Sequence, residues 1–174
     1  MVFIGDLIGV IAVLDVPVGL VVDFGWSEVR VGVVYEGAVG EVGFVGVGMK
    51  DVDWWVEEQV GLGDDDSLGG EDVRAGCCAA FEEGVEVEDV ELGGGKVVSG
   101  QVRRNAVLCL FGKQQGREDC NVCETICQVL RRCSVVQRPD LIKNVILIGG
   151  GAMMPGIGRL LVKVIHDIQS FLHV

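Results

Sequence analysis

The stretch NVILIGGGAMMPGIGRLL, residues 144–161, joins an apolar run to helical spacing through three consecutive glycines. Such a strand-to-helix corner has a chemical use. Without Cβ atoms, the backbone at Gly149, Gly150 and Gly151 can approach a ligand closely, and the amides and dipole of the following helix favour an anion or a polar ring edge. It also has a mechanical use, because glycine makes tight corners in many folds, and spacing alone leaves both readings open. Familiar phosphate loops do not decide between them. A dinucleotide G-x-G-x-x-G would need glycine where Met154 stands, and Lys96 in GGGKVV is followed by Val97 rather than the Ser or Thr of a Walker loop.

Two further groups of residues invite chemistry. Cys120, Cys123 and Cys127 follow a C-x2-C-x3-C spacing that puts thiols on one helical face, as a zinc or iron–sulfur site would require. That face also carries Ile126 and Leu130, and no fourth ligand stands at tetrahedral spacing, so the pattern favours core packing of reduced thiols. His166 and His173 both fall in the last nine residues with no Ser or Cys motif to pair with, which leaves a hydrolase triad without support. The seven cysteines fit reduced thiols better than a disulfide framework.

The elements that must position these residues follow from periodicity. Residues 5–13 predict a short helix and 17–24 a buried strand, which ends on Asp23 and turns at Gly25, Trp26 and Ser27. Val29, Val31 and Val33 then alternate with Glu28, Arg30 and Gly32, so 18–36 predicts a hairpin. DVDWWVEEQV (51–60) predicts a helix with Val52, Trp55, Val56 and Gln59 on one side, followed by a polar glycine-rich loop over 61–72. Residues 71–98 predict an appended lobe: a short helix over 72–80, strand-like alternation in VEVEDVEL, and a turn at 93–95. A helix is expected over 119–133, a strand over 144–148 after Pro139, and a last helix with Pro155 in its first turn.

Bulk properties narrow the function classes. A chain of 174 residues with 49% hydrophobic residues is about one domain with enough apolar material for a core. A net charge of −12 repels phosphate backbones and anionic headgroups, so no nucleic acid is expected as a partner. The apolar start lacks a basic leader and carries Asp6, Asp15 and Pro17. A mid-span Asp costs about 2.5–3.5 kcal/mol on insertion scales, so the segment is expected to be buried helix and strand, with no membrane contact.

Four motifs in order resemble the actin-related protein family. VVDFGWSEVRVGVVYEG (21–37) resembles its second phosphate-binding hairpin, D-S-G-D-G followed by a strand ending Y-E-G. NVILIGGGAMMPGIGRLL resembles its adenosine motif, S-G-G-T-x-M-x-P-G-I. Between them GEDVRAGCCAAF (70–81) resembles the D-I-K-E helix, and KVVSGQVRRNAVLCLF (96–111) the strand and loop leading to its L-F. The resemblance implies an α/β fold: the ribonuclease-H-like unit of the actin fold, second lobe only, across residues 1–174. Subdomain three would take about 15–49 and 116–174, and a shortened inserted subdomain four about 50–115.

Carried over by position, the resemblance implies that Asp23 faces the water shell of a nucleotide-bound cation and that Gly25 lets amides reach phosphate. Gly149, Gly150 and Gly151 match the adenosine turn, Met154 the residue beside the adenine, and Arg74 replaces the helix lysine. Trp26 stands where the family has a second aspartate, Arg30 where actin has a histidine near the attacking water, and Ala75 where a glutamate holds the ribose. The expectation is therefore not an enzyme but a scaffold subunit with a degenerate site, at most weak or vestigial ATP/Mg binding and no resident cofactor or metal. Partners would be other actin-family or dynactin-type subunits in the cytoplasm and cytoskeleton, since EDVRAGCC and VSGQVRRNA are closest in style to members assembled at a filament's pointed end. Two alternatives are a subunit of a nuclear chromatin-remodelling complex and a fragment of an ATP-binding actin-fold protein.

Overall fold

The computed structural model describes residues 9, 15–63, 69–81, 84–92, 95–112 and 121–172. The helix expected over 5–13 lies outside the described residues except at residue 9, and so do Cys120 and His173. The described chain is mixed α/β, built on a four-stranded sheet in which Ala38–Val45, Val29–Tyr35, Val18–Phe24 and Val145–Ile148 lie side by side in that order.

Strands β1 (Val18–Phe24) and β2 (Val29–Tyr35) form the expected hairpin, with Leu20 opposite Val33 and Asp23 opposite Arg30. Their register sends Leu20, Val22, Phe24, Val29, Val31 and Val33 into the main core, while Val21 and Val34 form a smaller cluster on the other face with Ile146 and Ile148. A third strand, β3 (Ala38–Val45), was not expected from the sequence. Glu36 and Gly37, with φ of 49° and 78°, make the two-residue left-handed turn whose twist suits a tight hairpin between β2 and β3. Strand β6 (Val145–Ile148) closes the sheet, parallel to β1 with Asp23 opposite Ile148.

Helix α1 (Met49–Val60) starts directly against the β1–β2 turn. The Met49 and Lys50 amides donate to the Gly25 and Trp26 carbonyls at 3.1 and 3.0 Å, and the Asp51 carboxylate accepts from the Gly48 amide at 2.8 Å. Gly61, at φ 68°, ends the helix. The buried face is Met49, Val52, Asp53 and Val56. The sequence expectation placed Gln59 on that side, but Gln59 is exposed and Asp53 is buried instead, because Asp53 finds a cationic partner on α2 (Gly70–Cys77).

The appended lobe holds α2, the short pair β4 (Val90–Glu91) and β5 (Val97–Val98), α3 (Gly100–Asn105) and α4 (Leu108–Phe111). Only two residues of the acidic alternation are paired as strand, and helix α2 ends at Cys77 rather than Ala80. Lys96, set aside above as a Walker lysine, donates to the Gly61 carbonyl at 2.9 Å and ties this lobe to the end of α1.

Helix α5 (Val122–Arg132) is capped by Asn121, whose Oδ1 accepts from the Glu124 amide at 3.0 Å. It packs so closely on β3 that a Cβ at Gly43 would lie 2.7 Å from Thr125 Cγ2. Helix α6 (Arg138–Lys143) leads into β6, a 3-10 turn (Gly150–Met153) follows, and α7 (Ile157–Leu172) completes the layer. Pro155 therefore precedes α7 instead of occupying its first turn. Among the described residues no helix is long and apolar enough to cross a membrane.

Candidate functional site

Because β1 and β6 run parallel, their C-terminal ends lie side by side, the place where open α/β sheets offer loops to ligands. The hairpin turn after Phe24 and the glycine turn after Ile148 stand next to each other there. A cavity of about 480 Å³ opens between them and helix α2, with Trp26, Arg74, Ala75, Gly150, Gly151 and Met154 in its lining. Four of the seven residues singled out by sequence, Arg74, Gly150, Gly151 and Met154, thus meet in one cavity. Asp23, Gly25 and Gly149 are beside it without lining it.

The three glycines divide by what surrounds them. At Gly149, φ is 87°, and an added Cβ would lie 2.5 Å from both Asp23 Oδ1 and the Phe24 carbonyl oxygen. At Gly151 it would lie 2.5 Å from Met49 Sδ and 2.8 Å from Phe24 Cβ. Packing alone requires glycine at those two positions. At Gly150 a Cβ would meet nothing within 4 Å, so this glycine only leaves room in the cavity. Packing thus accounts for two of the three glycines and leaves Gly150 without a packing reason.

Asp23 alternates with Val22 and Phe24, so its side chain leaves on the face of Val21, away from the helical layer. It is 7% exposed and forms an ion pair with Arg30, directly across the hairpin. The carboxylate's charge is thus met by a guanidinium within the sheet. The Gly25 amide donates to the Glu28 carbonyl at 3.1 Å, closing the hairpin turn rather than presenting itself to an anion. Hydrated Mg2+ does not fit this arrangement: the Asp23 carboxylate is paired with Arg30, and the indole of Trp26, 55% exposed, offers no oxygen ligand.

Arg74 lines the cavity yet is committed to the fold. Its Nε donates to Asp53 Oδ1, a terminal nitrogen lies 3.5 Å from Asp53 Oδ2, and Glu71 Oε1 lies 3.9 Å away. Burial pushes the Asp53 carboxyl above its ordinary range, and the hydrogen bond and charge of Arg74 oppose that rise. Asp53 is the important residue that sequence reasoning missed. Nothing local marks it, because its partner is 21 residues away.

The other candidates stay apart. Six described cysteines are free thiols, and among the described residues no three His, Cys, Asp or Glu side chains are placed to hold a metal ion. Cys77 and Cys133 donate to the Val73 and Val129 carbonyls of their own helices at 2.9 and 3.2 Å. His166 is solvent-exposed, with Asp167 3.9 Å away. No protein-family model matches the chain.

Proposed function

We propose that this chain is a non-catalytic, actin-related scaffold subunit of a dynactin-type cytoskeletal assembly, built on the ribonuclease-H-like second lobe of the actin fold. The observation that carries the reading is the Asp23–Arg30 pair. The resemblance assigns Asp23 to a cation's water shell, and an arginine fixed across the hairpin supplies positive charge to that carboxylate permanently. Trp26 replaces a second carboxylate, and Ala75 offers no acceptor for a ribose hydroxyl. The cavity keeps an apolar wall at Met154 and clearance at Gly150, a shape suited to a vestigial adenine site without the charge stabilisation that phosphoryl transfer demands. Its work is then contact with other protein subunits in the cytoplasm, with subdomain three at about 15–49 and 116–174 and a shortened subdomain four between.

Calorimetric titration with Mg-ATP tests the nucleotide half of this reading. The expected result is weak binding or none, and no turnover. A Kd of about 1 μM, equivalent to about −8.2 kcal/mol, or measurable hydrolysis would overturn it. Affinity purification of the tagged protein from cells tests the partner half. Recovery of dynein and dynactin subunits supports the assignment, and recovery of chromatin-remodelling ATPases instead would replace it with a nuclear role.

A further inference from the structure

A second cavity, of about 570 Å³, lies among the segment after α2, the junction of α3 and α4, and the first turns of α7. It shares no residue with the cavity at the glycine turn. Its walls are of two kinds. Phe81, Leu108 and Leu160 give an apolar surface, and Arg104, Arg159 and Lys163 bring three cations to the same opening. Arg159 and Lys163, four residues apart on α7, project from one helical face.

We propose that this cavity binds a small organic anion with an apolar body, such as a carboxylate on a ring system. Three observations point there. The volume falls within the range of sites that enclose a small-molecule ligand, and convergent polar groups over an apolar lining are the general pattern of such sites. The charge runs against the chain as a whole: a protein of net charge −12 gathers three of its fourteen Lys and Arg residues at one opening. Finally, the walls are braced. The Ala80 amide donates to the Pro155 carbonyl at 2.8 Å, and Gly156, at φ 84°, sits so close that a Cβ there would lie 2.1 Å from the Ala80 oxygen. The Arg103 guanidinium lies 5.4 Å from the Phe81 ring centroid while its Nε donates to the Cys77 carbonyl at 2.8 Å, so the ring is held from outside the cavity.

Leu108 is 50% exposed at the opening, an apolar edge that a ligand body would cover. Each of the three cations also has an interaction within the protein, so a bound anion joins an existing set of contacts rather than meeting an isolated charge. A bare inorganic anion would leave the apolar wall unused, and a neutral apolar compound would leave the cations unused. The combination selects an amphipathic anion.

The test uses the whole chain and two probes of equal shape, 1-naphthoate and the uncharged 1-naphthamide, with binding followed by amide chemical shifts and calorimetry. The expected result is saturable naphthoate binding that perturbs Leu108 and Leu160, with naphthamide at least tenfold weaker, about 1.4 kcal/mol. The Arg159→Glu/Lys163→Glu variant, altered only at exposed positions, should lose at least tenfold in naphthoate affinity and leave naphthamide unchanged. Arg159→Gln, a milder companion, should lose less in the same direction. Equal binding of the two probes, no saturable naphthoate binding, unchanged affinity in both variants, or shifts centred on Gly150 would each overturn the proposal. None of these results bears on Mg-ATP at the other cavity.

Discussion

Replacing Arg30 by Met isolates the feature on which the nucleotide argument turns. The Arg30 and Asp23 side chains are 12% and 9% exposed, so the pair sits in a medium of reduced dielectric. Two unit charges about 4 Å apart attract by about 4 kcal/mol at an effective dielectric of about 20, and much of that is offset by the cost of removing both from water. The net worth of the intact pair is therefore small. Removing one member is a different matter, because Asp23 would stay buried in the sheet with its partner gone. Arg30→Met is expected to destabilise the protein by about 3–5 kcal/mol, a large share of the ~5–15 kcal/mol typical of a domain. The double change Asp23→Val/Arg30→Met leaves an apolar cross-strand pair on an apolar face, and should recover most or all of the loss. Urea unfolding followed by tryptophan fluorescence measures both, and the loss should depend weakly on salt because a buried pair is poorly screened. A single-variant cost under about 1 kcal/mol, or a double variant no more stable than the single, would refute the claim that this pair is desolvated. Asp23 would then be open to a cation after all.

Arg74→Met should cost about 3–5 kcal/mol by the same reasoning, since Asp53 would lose its partner, and Asp53→Asn in that background should restore most of it in urea titrations. Asp53 also has a pH signature. Its folded pKa is raised above 3.8, so the folded state keeps a proton the unfolded chain has lost; stability is unaffected below that value and falls as pH rises through the raised one, and Asp53→Asn should remove this contribution from the measured pH profile. The Thr125 hydroxyl is buried without a hydrogen-bond partner among the described residues, so Thr125→Val should be neutral or stabilising by about 1 kcal/mol, read as a rise in Tm. Burial pushes the Cys78 thiol up to about 12 and the Cys109 thiol up to about 11, from 9.0. Both favour the folded state while protonated, so stability should begin to fall as pH rises above 9, Cys78→Ala should flatten that fall, and neither thiol should react with a disulfide reagent at pH 8 before unfolding.

The strands that bear on the site were legible where one face is buried and the alternation is clean. Val29, Val31 and Val33 against Arg30 and Gly32 fix β2, and with it the position of Arg30 opposite Asp23. Strand β3 was not legible, because AVGEVGFV is only partly buried and carries two interior glycines, and because its turn uses Glu36 at φ 49°, a residue that gives no turn signal. The glycine corner was legible as strand, turn and helix, although the 3-10 turn delays α7 until Ile157. Helix α1 is legible from its periodicity, but its inward face is not. Periodicity counts an aspartate as polar and therefore outside, and only the fold, by bringing α2 against α1, reveals Arg74 as the partner that lets Asp53 turn inward.

Beside the cavity, one cross-strand position decides how the charge of a buried carboxylate is met. Strand pairing puts position 30 directly across from position 23, so whatever stands there sets the charge felt by the Asp23 carboxylate. A neutral side chain would leave the carboxylate's charge to be met by an ion from outside; an arginine meets it from within the sheet. The same economy operates at the corner opposite. Gly149 and Gly151 are demanded by the packing of Asp23, Phe24 and Met49, and would persist whether or not any ligand came. Only Gly150 has no packing reason to lack a side chain. What argues for a ligand in this cavity is thus one glycine and an apolar wall, whereas what argues against a cation there is a pair of opposite charges locked across a hairpin. It is this second consideration that the proposed scaffold reading rests on, and Arg30→Met is the variant that probes it.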